Sequence, residues 1–152
     1  MVNVPGNPAM SATRTTIQLA ALAVGAVFTL VGVLGFIPGI TTNYGTMQFA
    51  GHHSQALLLG LFQVSILHNL VHVLFGVAGF VLARTVGGAR SYLVGGGAVY
   101  LVLWLYGLVI GQESAANFVP FNTAVDWLHF FLRAGMIGLG LVLRPRGAVG
   151  RR

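Results

Sequence analysis

Two short stripes of titratable residues stand out in a chain that is otherwise almost free of them. His68 and His72, within LHNLVHVLFGVAGF, are four residues apart, so on a helix they share one face, a turn above one another. Asp126, His129 and Arg133, within DWLHFFLRAGMIGLG, fall at i, i+3 and i+7 and form a second stripe. Imidazoles at i and i+4 can hold one divalent metal ion, with His129 and Asp126 as completing ligands. His68, His72 and His129 are therefore the metal candidates. A b-type haem would instead take one histidine from the first stripe opposite His129, with the nearby glycines making room. The zinc-protease pattern needs a glutamate directly after the first histidine; Asn69 stands there, so that chemistry has no support. A proton or solute relay is a further use of such groups inside a membrane.

Structural roles compete with each of these. A hydrogen-bonded interhelical pair would account for His68 and His72 without a ligand, since buried polar side chains commonly hold membrane helices together. Asp126 suits a helix entry, where the dipole favours a negative charge. Arg133 can reach outward along its own apolar stem. His52 and His53 read as two solvated loop residues.

The elements that must position these side chains follow from composition. Of 152 residues, 56% are hydrophobic and 7% charged, and mean hydropathy is +0.85. A soluble domain carries about 25% charged residues, because its surface faces water. Ten charged side chains cannot cover such a globule, so the sequence reads as one all-α integral membrane domain. The absence of cysteine removes disulfides, thiolate metal sites, iron–sulfur clusters and covalently attached haem. The net charge of +6 does not point to nucleic acid, because the arginines lie between the apolar runs rather than in a basic patch.

Four runs are long enough to span roughly 30 Å of hydrocarbon at 1.5 Å per residue. They cover 16–36, 64–83, 91–110 and 126–143, in a four-helix bundle occupying 16–143. Residues 1–15 read as a cytoplasmic tail and 144–152 as an Arg-rich one. The first run is too long for a signal-peptide core and lacks a small-x-small cleavage site, so it is expected to be retained. Too little period-two alternation is present for barrel strands. Between the runs lie loops at 37–63 and 111–125, both without Arg or Lys. The apolar heptad Ala56–Phe62 within the first is too short to cross and is expected at the headgroups or dipping back among the helices.

Seven of the eight basic residues fall on one side of this arrangement, which places both termini in the cytoplasm. Helices two and four then both begin outside, and their polar stripes sit in the outer half of the membrane. Glu113, the only acid besides Asp126, joins the same layer from the end of helix three. The candidate polar cluster is His68, Asn69, His72, Glu113, Asp126, His129 and Arg133, with the two acids as the only anions available to Arg133.

The stretch LLGLFQVSILHNLVHVLFGVAGF, followed after one uncharged helix by DWLHFFLRAGMIGLG, resembles a family of small four-helix bacterial membrane proteins of unknown function, common in actinobacteria. The resemblance covers most of the chain. It implies the architecture but brings no agreed activity. The loops are too small for a catalytic domain and no nucleophile–base pair is visible. The leading expectation is therefore a structural or accessory protein of the bacterial cytoplasmic membrane, whose surroundings are lipid, further copies of itself or a larger membrane complex. The alternative is a haem- or metal-binding redox or sensor protein using the histidines of helices two and four. A third reading is a small solute- or proton-conducting oligomer.

Overall fold

The computed structural model describes residues 13–143, apart from His52 and 110–122. Its helices are α1 (Thr16–Leu34), α2 (Ile66–Leu82), α3 (Val86–Val109) and α4 (Thr123–Val142). Three two-residue strands lie between α1 and α2: β1 (Thr41–Thr42), β2 (Leu57–Leu58) and β3 (Phe62–Gln63). Helices α1, α3 and α4 each contain a segment long and apolar enough to cross a membrane, which makes this a membrane protein; α2, at 17 residues, is shorter.

Local capping chemistry explains where the helix ends differ from the apolar runs. Helix α1 stops at Leu34, two residues before the end of its run, because Ile37 and Phe36 fold back onto Leu34 and Val33 in turns. Helix α2 begins at Ile66, where the Ser65 hydroxyl accepts the backbone N–H of His68 at 3.2 Å. Helix α3 starts five residues earlier than its apolar run. Thr85 accepts the N–H of Gly88 at 3.0 Å through its hydroxyl, so the glycines and Arg90 are helical rather than loop. Helix α4 starts at Thr123, which places Asp126 in the first turn rather than at the cap. The loop expected at 111–125 falls mostly outside the described residues, as do most of the N-terminal tail and all of the C-terminal one.

Glycine brings α1 and α2 into direct backbone contact. A β-carbon on Gly25 would sit 2.9 Å from the carbonyl oxygen of Gly76, and one on Gly32 would meet the backbone of Asn69 and Val73. Without hydrophobic drive between helices in lipid, such close approach supplies the van der Waals contact that holds them. At the other end of this pair, the Gln18 amide donates to the carbonyls of Ala83 (2.9 Å) and Arg84 (3.1 Å), tying the start of α1 to the end of α2. Helices α3 and α4 approach through Gly97 and Gly140 in the same manner. Between the two pairs lies a shared core of Phe28 from α1, Tyr92, Leu93 and Tyr100 from α3, and Met136 from α4.

The heptad Ala56–Phe62, with Gln63, forms an antiparallel hairpin. Leu57 and Leu58 pair with Gln63 and Phe62, and on the other edge with Thr42 and Thr41. The turn passes through Leu59 (φ +54°) and Gly60 (φ +70°). Glycine adopts that left-handed backbone freely and leucine rarely, so Leu59 is held there by its neighbours. Ala56, Leu58 and Val64 form a second buried cluster with Val31 and Leu34 of α1, which seats the hairpin on the end of the helices.

Candidate three-histidine site

Three of the sequence-predicted site residues meet. His68 and His72 stack on α2 with ring centroids 4.1 Å apart, and each lies 5.7 Å from the ring of His129 on α4. One ligating nitrogen from each of the three comes within 4.8 Å of the others. His72 and His129 are buried and His68 is partly so. Phe28 backs the group, its ring 5.1 Å from that of His72, and Tyr100 lies 6.3 Å from His129.

The hydrogen bonding of these rings is sparse. His72 Nδ1 lies 2.9 Å from the backbone carbonyl oxygen of His68. A carbonyl only accepts, so His72 Nδ1 carries the proton, and in the neutral imidazole Nε2 then keeps its lone pair. His129 Nδ1 is buried without a hydrogen-bond partner among the described residues. No hydrogen bond joins one of these rings to another there; stacking across α2 and α4 is what they share.

The group faces a cavity of about 100 Å³ whose remaining walls are aliphatic and aromatic, including Leu58, Leu59, Phe62 and Val64 of the hairpin segment and Leu128 of α4. A second cavity of about 80 Å³ shares His72 and His129 and continues past Phe28 and Leu132.

The other predicted members stand apart. Asn69 is fully buried but turned about 100° from His68 round α2, against Met47 and Gly35 at the C-cap of α1, with its Oδ1 unpaired among the described residues. Arg133 is 2% exposed, yet its Nε and Nη1 have no hydrogen-bond partner among the described residues. Asp126 lies two turns earlier on the same stripe, about 10 Å along the axis. The Arg133 guanidinium lies 6.0 Å from the Tyr100 ring centre, a cation–π distance. Asp126 remains partly exposed at the start of α4. Glu113 lies outside the described residues, as does His52; His53 is exposed.

Sequence reasoning overlooked Phe28, Tyr100 and the hairpin residues that close the cavity. Phe28 could have been found, since it continues the helical spacing of Ala21, Gly25 and Gly32, the buried face of α1. The hairpin carried no comparable signal, because β2 pairs with residues that lie 15 or more positions away in sequence as well as with its neighbour β3.

No curated protein and no solved structure matches the chain. A family model described as Domain of unknown function (DUF4383) matches residues 18–142, a range that takes in all four helices except Thr16 and Ile17 of α1, together with the hairpin and the three histidines. The chain belongs to the DUF4383 family.

Proposed function

We propose that this is a multi-pass protein of the bacterial cytoplasmic membrane that binds a divalent transition metal ion at His68, His72 and His129. In this reading all four helices span, both termini are cytoplasmic, and the histidine centre lies in the outer half of the bilayer. The carrying observation is that three buried or half-buried imidazoles from two helices bring nitrogens within 4.8 Å of one another.

Two features support metal over packing alone. A metal-ligating histidine almost always donates its other ring N–H to a carbonyl or carboxylate, which fixes the ligand nitrogen. His72 makes that bond to His68. Nitrogens at about 2.0–2.1 Å from zinc lie roughly 3.3 Å apart in a tetrahedral site, so closure takes an ångström or so of movement. The rings are within 20–25° of parallel, so with His72 held by its carbonyl bond those of His68 and His129 must turn about χ2 to converge, a torsion whose wells are broad for histidine. Three imidazoles suit zinc, copper or nickel, and leave a fourth position open.

The test is metal stoichiometry and the visible spectrum of cobalt(II)-loaded protein purified in mild detergent. One Co²⁺ per chain with tetrahedral bands is expected. Affinity should fall as the buffer is acidified, because each imidazole must be neutral to ligate. His129→Ala should weaken binding by at least about tenfold with helicity unchanged, in line with the loss of a ligand or its support. A protein that binds no cobalt, or binds it equally well as His129→Ala, overturns the proposal.

A further inference from the structure

We infer that the three-histidine centre receives its outside ligand from the bilayer, as an apolar membrane-dissolved molecule carrying one lone-pair head group, admitted beneath the β2–β3 hairpin. This rests on the metal reading, since a metal with three protein ligands is what would accept such a head group.

The walls define the class of ligand. Apart from the three imidazoles, every residue lining the cavity of about 100 Å³ is aliphatic or aromatic. A water-soluble polar ligand would leave its own polar groups unpaired against such walls, at a cost of some 1–3 kcal/mol for each. An apolar body with a single nitrogen or oxygen donor meets both surfaces. An engineered apolar cavity of about 150 Å³ binds benzene, a size reached here only by the two adjoining cavities together. Here the first cavity takes a short branch. The second, about 80 Å³ and sharing His72 and His129, gives a chain somewhere to continue.

The route follows from the hairpin. Leu59 lines the cavity and is also 66% exposed, as is Leu128 of α4 at 40%, so these two side chains reach from the histidine cavity to the surroundings. Leu61, across the turn, is 54% exposed. Both belong to a chain whose α1, α3 and α4 have membrane-spanning length, and the nearby Leu30 of α1 is exposed as well. An exposed leucine tip beside membrane-spanning helices meets lipid rather than water, because apolar area left in water costs about 25 cal/mol per Å². The molecules that reach this doorway are those dissolved in the membrane.

The experiment is photolabelling of the cobalt-loaded protein in lipid nanodiscs with a trifluoromethylphenyl diazirine, an apolar probe that partitions into bilayers, followed by peptide mass spectrometry. Adducts are expected on Val64, which is 1% exposed and lines the cavity, as well as on exposed Leu30. Leu58→Trp should cut Val64 labelling by at least about fivefold and leave Leu30 unchanged, because an indole fills a space of this size. Excess 1-hexylimidazole should protect Val64, whereas imidazole at the same concentration should not. Adducts confined to exposed residues overturn the entry route. Labelling of Val64 without protection by 1-hexylimidazole, in protein that holds cobalt, overturns the head-group assignment. Protection of Val64 by 1-hexylimidazole that survives in His129→Ala, with cobalt lost, overturns the head-group assignment; protection lost together with cobalt supports it. Should Leu58→Trp fail to fold, the protection arm on the unmodified chain decides.

Discussion

His72 Nδ1 lies 2.9 Å from the carbonyl oxygen of His68, one turn earlier on the same helix. That carbonyl is also the normal partner of the His72 backbone N–H in an α-helix, so it accepts twice. The bond costs the fold nothing extra and decides which ring nitrogen is available. It also holds the His72 ring against His68, which accounts for the 4.1 Å stacking distance. Ligation by His72 in this geometry therefore runs through its Nε2.

The tautomer is directly measurable. Long-range ¹H–¹⁵N correlation spectra of the metal-free protein in detergent should show His72 protonated at Nδ1 and bare at Nε2. A His72 ring protonated at Nε2 alone would remove the preset ligand nitrogen and, with it, the main argument for metal over packing.

Glycine substitutions should separate packed from open positions. A β-carbon at Gly25 would lie 2.9 Å from the Gly76 carbonyl, backbone that cannot swing aside, so Gly25→Val should destabilise by roughly 1–3 kcal/mol, the usual cost of overpacking. Gly95 has nothing within 4 Å of such a carbon, so Gly95→Ala should be neutral or stabilise by up to about 1 kcal/mol through helix propensity. Thermal unfolding of both variants in the same detergent checks the pair. Equal effects would mean that α1 and α2 do not meet at Gly25.

Orientation can be read by single-cysteine labelling, since the chain has no cysteine of its own. With cytoplasmic termini, a maleimide that cannot cross membranes should leave Thr85→Cys unlabelled in intact cells and label Gln55→Cys. Both residues are exposed in the structure, so access is governed by the side of the membrane. The opposite pattern would invert the topology and place the histidine centre in the cytoplasmic half.

The sequence alone carried the membrane class, the number and approximate extent of the helices, and the sharing of one face by His68 and His72. These depend on composition, on apolar length and on the 3.6-residue period, all of which are local. It also proposed that His129 belongs with that pair, but from an assumed topology that a contact between separate helices had to supply. Asn69 shows the limit of adjacency: it sits beside His68 in the chain, yet a single residue step turns it about 100° away, into the α1 seam. Arg133 shows another. Composition offers it only Asp126 and Glu113 as anions, whereas its guanidinium lies against the Tyr100 ring of α3, a neighbour that no local pattern supplies.

Only the tertiary structure decided how the centre is closed. Helix packing through Gly25 and Gly76 sets where α2 can present its imidazoles, and a hairpin formed by residues 57–63 covers them. Neither is encoded by a local pattern. Close backbone approach depends on which of 22 glycines happen to face one another, and strand pairing depends on a partner distant in the chain.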